Sequence, residues 1–381
     1  MTVPVDADIA LVGGGGAASL VLAALPPGPR IAIVDPVHKR GQDRTWAFWG
    51  TPGTFLDPLL SASWDAVDVV TPQSHRTLDL QPLRYAMLRS APLYELAGQN
   101  PAAVRVTAAA GSLADDGNRV LISDPDGNPL VRAAWVLDSR PRPPDRPGRT
   151  NWLQHFRGWW LESDRPVFEP ARAVLMDFRT PQPARGVSFG YVLPVSDRFA
   201  LVEYTEFGPA VLTDAEYDTA LRGYAATLGL DLTAMRVREV EDGVIPMTDG
   251  VFTPRPSPRV IRIGTAGGAT RPSTGFTFTA MVRQATRIAA EVAAGRPPLP
   301  GPAYPARHLW MDAVQLRALD RGLVDGSGFF ERLFDRNPPE RVLRFLDGAT
   351  SLREDLTLMS STPLLPMTRA AAGDAVSRLR S

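Results

Sequence analysis

The first 35 residues of the chain form one compact unit, in which an apolar strand leads into a glycine-rich turn, a helix of small residues and a second apolar strand. Gly13, Gly15 and Ala18 have the spacing G-x-G-x-x-A, and Gly16 completes a run of four glycines. Such a turn lets the backbone approach a pyrophosphate, and the following helix directs free N–H groups at the anion. Asp35 ends the second strand, where a carboxylate can accept a hydrogen bond from a ribose hydroxyl. The unit predicts a site for the ADP half of a dinucleotide.

Other interpretations of this segment are weaker. Four consecutive glycines also fit a flexible turn, but the strand before them, the helix after them and the acid beyond favour the dinucleotide site. The segment is also apolar enough for a membrane span or a signal sequence. Asp6 and Asp8 replace the basic residues that would open a signal sequence, and the glycines interrupt a spanning helix. We therefore expect a cytoplasmic protein.

Charge and residue usage exclude several function classes. The 381 residues include 41 basic and 41 acidic side chains, so the net charge is zero and no nucleic-acid partner is indicated. The absence of cysteine excludes disulfides and thiolate catalysis. The four histidines lack the spacing of metal ligands, so we expect no metal site.

A second glycine cluster lies far downstream and repeats the order of strand, loop and helix. Gly264 and Gly267 belong to its loop, and Thr274 and Gly275 open a predicted helix that runs to about Ala293. A helix that begins there directs its N–H groups and its positive dipole end at an anion above it. A nicotinamide-binding domain does not need this second cluster, whereas a flavin site does. The alternative is a tight turn before an ordinary helix.

The pattern of elements predicts an α/β fold. Residues 83–98 suggest one helix, and residues 120–137 suggest a hairpin. Apolar strands between residues 174 and 246, with one helix among them, suggest a second sheet distinct from the first. The proline-rich stretch 140–148 marks a domain crossing. We predict a Rossmann-like FAD-binding domain (1–150 plus 251–300), a mixed-sheet substrate domain (151–250) and a helical C-terminal region (301–381).

The two glycine clusters, together with the string VLDSR that contains Asp138, resemble the flavoprotein superfamily of aromatic hydroxylases and geranylgeranyl reductases. Further strings are similar to bacterial lycopene β-cyclases; they are DRTWAFW (43–49), FEPARAVLMDFR (168–179), FGYVLPVSDRFALVEYTEF (189–207), PSTGF (272–276) and FFERLFDRNPPERVLRFLDGATSL (329–352). The resemblance implies FAD that acts in its reduced form, with NAD(P)H as the reductant. It also implies conversion of the acyclic ψ ends of lycopene to β-ionone rings, giving γ-carotene or β-carotene without net redox change.

That reaction needs a protonated acid in a dry pocket, a negative field near the cation and walls that hold the hydrocarbon folded. The resemblance implies a strand motif of Glu, acidic residue and Thr, which here is Glu203, Tyr204 and Thr205, with tyrosine in place of the second acid. On a strand, Glu203 and Thr205 point to one face, and Tyr204 and Glu206 point to the other. We predict Glu203 as the proton donor and keep Asp177 and Glu206 as reserve acids. A solvated strand position or an ion pair is the alternative for Glu203.

Aromatic residues inside these strings are candidates for the walls of the pocket, although most aromatic residues belong to the core; the three we predict are Trp46, Tyr191 and Phe276. Lycopene is insoluble in water, so the resemblance also implies an enzyme that takes its substrate from a bilayer. The C-terminal region interleaves arginines with apolar residues such as Leu309 and Trp310, which fits either docking on the inner face of the cell membrane or helical core packing. A flavin monooxygenase, an isoprenoid reductase and a non-enzymatic flavin or carotenoid carrier are rival functions.

Overall fold

The computed structural model describes residues 3–363 and 365–371, which fold into three sheets and a set of C-terminal helices. The strands, in chain order, are β1 (Val5–Val12), β2 (Ile31–Val34), β3 (Thr45–Gly50), β4 (Ala62–Trp64), β5 (Ala66–Val70), β6 (His75–Asp79), β7 (Arg84–Arg89), β8 (Ala103–Val106), β9 (Ser112–Asp115), β10 (Val120–Ser123), β11 (Pro129–Asp138), β12 (Asn151–Ser163), β13 (Ala173–Asp177), β14 (Val187–Pro194), β15 (Phe199–Gly208), β16 (Met235–Thr248) and β17 (Val260–Arg262). The helices are α1 (Gly16–Ala24), α2 (Ser90–Gly98), α3 (Asp214–Thr227), α4 (Phe278–Ala293), α5 (Ala306–Asp320), α6 (Gly326–Arg336), α7 (Pro339–Leu346) and α8 (Leu352–Ser361).

The first sheet has the order β8-β2-β1-β11-β10-β9, and β17 also pairs with β11. Strands β1, β2, β8, β11 and β17 run parallel, while β10 and β11 form the predicted antiparallel hairpin. Val12 at the end of β1 pairs with Asp138 of β11, and Asp138 pairs in turn with Arg262 at the end of β17. Since the carboxyl ends of parallel strands share one edge, the two glycine clusters leave the sheet side by side.

The second sheet has the order β16-β12-β15-β14-β13-β5-β6. Strands β13 to β16 lie where the sequence predicts them, and α3 covers one face. Strands β5 and β6 fall inside the range 1–150 that the sequence assigns to the first domain, yet β5 pairs in parallel with β13. Val67 and Val69 of β5 are buried in the core of the second sheet, and this burial holds the segment there. Pairing between such distant strands leaves no local signal in the sequence.

The third sheet, β3-β7-β4, corrects the prediction of a single helix over residues 83–98. The first part of this segment, Arg84–Arg89, is strand β7, and helix α2 begins only at Ser90. Strand β7 pairs antiparallel with β3 on one side and with β4 on the other, which places Tyr85 and Met87 in the core. Tertiary pairing therefore overrides the helical propensity of this stretch.

The C-terminal helices α5 to α8 pack on the second sheet, as the predicted helical region requires. Phe329 and Phe330 of α6 belong to the same core as Phe189 and Phe207 of the sheet. Most apolar residues that the sequence offers for membrane contact here are thus buried, whereas Leu309 and Trp310 are exposed. Among the described residues, no helix is both long enough and apolar enough to cross a bilayer.

Candidate active site

The two glycine clusters meet in space. A side chain at Gly264, the first glycine of the second cluster, would place its Cβ 2.9 Å from the Cβ of Ala17 in α1. The amide of Gly264 donates a hydrogen bond of 3.0 Å to Oε1 of Gln284 in α4. Ala18 is buried in the same contact between α1 and α4. The second loop therefore lies directly on the helix that follows the first loop.

The first loop leaves room for a ligand at one glycine and is tightly packed at two others. A Cβ at Gly15 would meet nothing within 4 Å, while one at Gly13 would lie 2.7 Å from Oγ of Ser139 and one at Gly16 would lie 2.6 Å from the ring of Trp46. Asp35 accepts a hydrogen bond of 2.5 Å from the amide of Gly14. The open backbone at Gly15 is the surface that a pyrophosphate needs.

Asp138 lies at the same edge, but its carboxylate is occupied by a neighbour two residues away. Nε and Nη2 of Arg140 donate to its two oxygens at 2.9 and 2.8 Å. The aspartate is buried, so this ion pair fixes the turn after β11. The structure thus places Asp138 between the two loops with its carboxylate already paired.

The second loop differs from the prediction at its end, because α4 begins at Phe278 and not at Thr274 and Gly275. The chain closes a turn first: the amide of Arg271 donates to the carbonyl of Phe276, and the amide of Gly275 donates to the carbonyl of Arg271, each at 2.9 Å. Gly275 has φ +72°, a left-handed conformation that a helix does not contain. The second loop therefore ends in this turn, ahead of the helix, and both of these amides are bonded within it.

One further feature of the second loop suits a bound group. Oγ1 of Thr274 is buried and has no hydrogen-bond partner among the described residues, and such orphaned groups are uncommon in native structures. Gly267, in contrast, packs so closely on the carbonyl of Arg262 that a side chain there would overlap it, so this glycine serves the packing of the loop itself. The open backbone at Gly15 lies on the first loop and the unpaired hydroxyl of Thr274 lies on the second. This arrangement fits a dinucleotide that spans both loops.

A cleft of about 670 Å³, open solvent at its mouth included, lies between the second loop and the second sheet. Its walls include four residues that the sequence predicts for the substrate and the acid: Trp46, Tyr191, Phe276 and Glu203. Gly275 of the second loop also lines it. Trp46 joins the cleft to the loops, because it covers Gly16 and stacks on Phe278 with ring centroids 5.2 Å apart.

Two residues stand out among those of the cleft that the sequence did not predict. Tyr85 stands on β7, inside the stretch predicted as helix, and Gln154 stands on β12 against Gly275. No local motif marks these positions, since strand pairing and loop contact bring them to the cleft.

Glu203 belongs to a row of residues that crosses four strands. In register, Tyr191 of β14 pairs with Glu203 of β15, which pairs with Gly158 of β12, which pairs with Glu241 of β16. A side chain at Gly158 would place its Cβ 2.7 Å from Cδ1 of Leu201 and 3.4 Å from the Cβ of Glu203. The missing side chain at Gly158 therefore gives the Glu203 carboxyl its space.

Apolar surroundings determine the protonation state of this acid. Burial raises the pKa of Glu203 to about 8, against a hydrogen bond from Thr205 that lowers it, and the carboxylate of Glu241 raises it further. Burial also raises the pKa of Tyr191 well above its ordinary value, and the charges of Tyr85 and Glu203 act in the same direction. At neutral pH the cleft therefore holds a neutral carboxylic acid flanked by two phenols.

The two reserve acids lie on the opposite face of the sheet, under α3. Glu206 accepts a hydrogen bond of 2.9 Å from the hydroxyl of Tyr204. Asp177 is completely buried, accepts bonds from Nε and Nη2 of Arg179 at 2.9 and 2.6 Å, and lies 3.3 Å from the hydroxyl of Tyr224 in α3. Strand alternation predicts this separation of Glu203 from Glu206. The structure thus removes both reserve acids from the cleft.

The sequence of the chain matches a known protein family. Residues 8–372 match the sequence profile of a family described as lycopene cyclase protein. A lycopene beta-cyclase from Pantoea ananas is 25% identical over 390 residues, which cover 95% of this chain and 96% of that protein.

Solved structures share the fold at low sequence identity. A geranylgeranyl bacteriochlorophyll reductase-like protein from Thermoplasma acidophilum superposes with a TM-score of 0.66 at 12% identity, covering 96% of this chain and 99% of its own. The p-nitrophenol 4-monooxygenase of Pseudomonas putida gives a TM-score of 0.59 at 16% identity, with 97% and 98% covered. The architecture is therefore that of flavoprotein hydroxylases and reductases.

Proposed function

The chain belongs to the lycopene cyclase family, and from this premise we propose that it closes β-ionone rings at the ψ ends of lycopene, with FAD in its reduced form and NAD(P)H as the reductant. The observation that carries the proposal is the position of Glu203. Burial raises the pKa of this acid to about 8, and it lines a cleft that Gly275 of the second glycine loop also lines. A neutral carboxylic acid beside an apolar cleft is the proton donor that cyclisation of an alkene requires.

Glu203 acts first, by transferring its proton to C2 of the terminal alkene. The positive charge then lies at C1, and attack by the C5=C6 bond joins C6 to C1 and moves the charge to C5. Transfer of the proton on C6 to the Glu203 carboxylate forms the C5=C6 bond of the ring and returns the acid to its protonated form. One proton is added and one is lost, so the product is an isomer of the substrate. Trp46, Tyr191 and Phe276 line the cleft, and aromatic rings at such positions would contact the hydrocarbon and stabilise the cation.

The two glycine loops would hold the FAD. Gly13, Gly15 and Gly16 would receive the pyrophosphate with Asp35 nearby, and Gly264, Gly267, Thr274 and Gly275 would border the flavin end. When bound in reduced form, the flavin supplies an electron-rich, negatively charged ring beside the path of the cation. Gly275 and Glu203 line the same cleft, which supports the proposal that the acid and the flavin share one cavity.

One experiment separates cyclase from the rival functions. The purified protein is incubated anaerobically with lycopene in liposomes, FAD and NADPH, and the product is analysed by mass spectrometry and absorption spectroscopy. A product of unchanged mass with the spectrum of a cyclised end supports the proposal. A gain of hydrogen would indicate a reductase, and a gain of oxygen after air is admitted would indicate a monooxygenase. Unchanged lycopene would contradict the proposal.

The substrate also suggests where the protein works. Lycopene partitions into hydrocarbon, so a chain that handles it has to reach the acyl region of a bilayer. We therefore propose that the protein acts as a peripheral protein at the inner face of the cell membrane. Exposed Leu309 and Trp310 support this location.

A further inference from the structure

A second cavity lies among the C-terminal helices and shares no lining residue with the cleft of Glu203. It encloses about 740 Å³, open solvent at its mouth included. Val314 of α5, Leu333 of α6, Phe345 of α7 and Leu358 of α8 are among the apolar side chains that line it. Sites lined in this way bind apolar ligands.

The cavity opens through exposed apolar side chains. Trp310 of α5 and Met359 of α8 line it and are nevertheless 38% and 37% exposed. Leu352 and Leu356 precede Met359 on one face of α8 and are 62% and 58% exposed, and Leu309 is exposed beside Trp310. We call these five residues the apolar rim. Large side chains clustered in water around the mouth of an apolar cavity mark a surface that another apolar phase covers.

The rim is held rigid by a buried polar contact. Nε of Arg307 and Nε2 of His308, both in the first turn of α5, lie 2.8 and 3.2 Å from Oδ2 of Asp355 in the first turn of α8. Thr350 donates to the other oxygen of Asp355 at 2.5 Å. Because α5 and α8 are fixed together at this point, the mouth between them is preformed.

The charges beside the rim favour an anionic bilayer over a protein partner. Arg353 follows Leu352 in α8, and Arg369 follows Thr368, which lines the cavity; both arginines are exposed. Cationic side chains next to exposed leucine and tryptophan are the composition of an interfacial membrane contact. The cavity behind the rim is lined mainly by apolar side chains, as a site for a hydrocarbon chain requires.

We propose that the apolar rim docks on an anionic bilayer and that the C-terminal cavity receives a lipid acyl chain from it. Docking and acyl-chain entry do not rest on the proposed function. The cavity would hold the hydrocarbon at the surface of the protein, separately from the cleft where Glu203 acts.

Photo-crosslinking tests the cavity. The FAD-loaded protein is irradiated with phosphatidylcholine and phosphatidylglycerol vesicles that carry a diazirine at the end of one acyl chain, and adducts are mapped by mass spectrometry. We expect adducts on buried lining residues such as Val314 and Leu333. Thr368→Trp should reduce them about tenfold, because an indole at the mouth fills the space of a chain in a close-packed wall. Thr357→Trp, on an exposed position of α8 outside the cavity, should leave them unchanged.

Lycopene in the same vesicles tests the identity of the occupant. We expect the adducts to be unchanged, and suppression of the adducts by lycopene would overturn the acyl chain as the occupant and assign the cavity to the polyene. Cyclisation of detergent-dispersed lycopene is measured in parallel. Adducts without cyclisation would contradict the proposed function alone, and cyclisation without buried adducts would contradict the cavity alone.

Flotation with the same vesicles tests the rim. Leu352→Ser, Leu356→Ser and Met359→Ser together should reduce the bound fraction about tenfold, since three large apolar side chains leave the contact. The matched control replaces three exposed valines of β16, Val237, Val240 and Val244, by serine and should float like the unmodified protein. Equal flotation of the rim variant would overturn the docking proposal. A dimer in gel filtration that the rim variant converts to a monomer would also overturn it, by assigning the face to a second copy.

Discussion

The hydroxyl of Thr205 donates a hydrogen bond of 2.7 Å to Oε1 of Glu203, while burial raises the pKa of the same carboxyl to about 8. The bond alone would lower that pKa, so desolvation is the stronger influence. The two residues are separated by one position on β15, so their side chains lie on the same face of the sheet. The acid is therefore held in one orientation and kept protonated at neutral pH.

The pH dependence of cyclisation should follow this carboxyl. Glu203 has to be protonated to act, so the rate should be constant at neutral pH and fall as the pH rises through about 8. The folded protein binds an extra proton between the ordinary value of 4.5 and about 8, so the free energy of unfolding should fall with rising pH in that window. Initial rates with dithionite-reduced flavin would measure the first effect, and chemical denaturation the second.

Two neighbours should move this titration in opposite directions. Thr205→Val removes a hydrogen bond that lowers the pKa of Glu203, so the pH at which the cyclisation rate falls should become higher. Glu241→Gln removes a negative charge that raises the pKa of Glu203, so the pH at which the cyclisation rate falls should become lower. If the rate falls at the same pH in both variants as in the unmodified protein, a group other than Glu203 controls the pH dependence.

Glu203→Gln should reduce cyclisation by about 10²–10⁴-fold, the usual contribution of a general acid, while leaving the flavin spectrum of the protein unchanged. Glu206→Gln is the matched control, because Glu206 is three residues away on the same strand but faces α3. It should keep nearly full activity. Product formation by chromatography measures both, and normal turnover by Glu203→Gln would contradict its assignment as the acid.

Gly275→Ala should weaken flavin binding and reduce stability. The residue has φ +72°, and an added Cβ would overlap Oε1 of Gln154, so the loop has to move. Gly295→Ala introduces the same kind of strain at φ +69° with nothing within 4 Å, and should cost only about 1–2 kcal/mol. Flavin titration and thermal unfolding compare the two. Equal flavin affinity would show that the turn at Gly275 does not border the cofactor.

Asp312→Ala should destabilise the protein by about 3–5 kcal/mol, because it leaves the completely buried guanidinium of Arg271 without its carboxylate partner. The two side chains join the second glycine loop to α5 through bonds of 2.8 and 2.6 Å. Asp335→Ala breaks the exposed pair with Arg76 and should change stability by less than about 1 kcal/mol. Denaturant unfolding measures both, and similar losses would contradict the importance of burial.

Local features of the sequence account for what could be predicted. The turn at Gly13 and the loop at Gly264 each carry their own strand and helix, so their structure could be inferred from short segments. The alternation of β15 separates Glu203 from Glu206 without any knowledge of the partner strands. The family resemblance then added the role of the acid, which spacing alone did not supply.

Long-range pairing accounts for what was missed. Tyr85 reaches the cleft because β7 pairs with β3 and β4, and those contacts outweigh the helical tendency of its segment. Gly158 matters only because β12 lies between the strands of Glu203 and Glu241. The start of α4 was mispredicted for a local reason, since the hydrogen bonds that close the turn at Arg271 leave no signal in amino-acid composition. The positions of Tyr85 and Gly158, by contrast, depend on neighbours distant in the sequence.

The path of β5 and β6 has a practical consequence for engineering. These strands extend the second sheet, although the segments before and after them, β2 and β8, pair in the first. Neither half of the molecule is a contiguous fragment, so trimming the termini cannot isolate one. A chimaera that exchanges the second sheet between two relatives has to transplant residues 66–79 together with 151–248, because otherwise the edge of β13 loses the β5 strand with which it pairs.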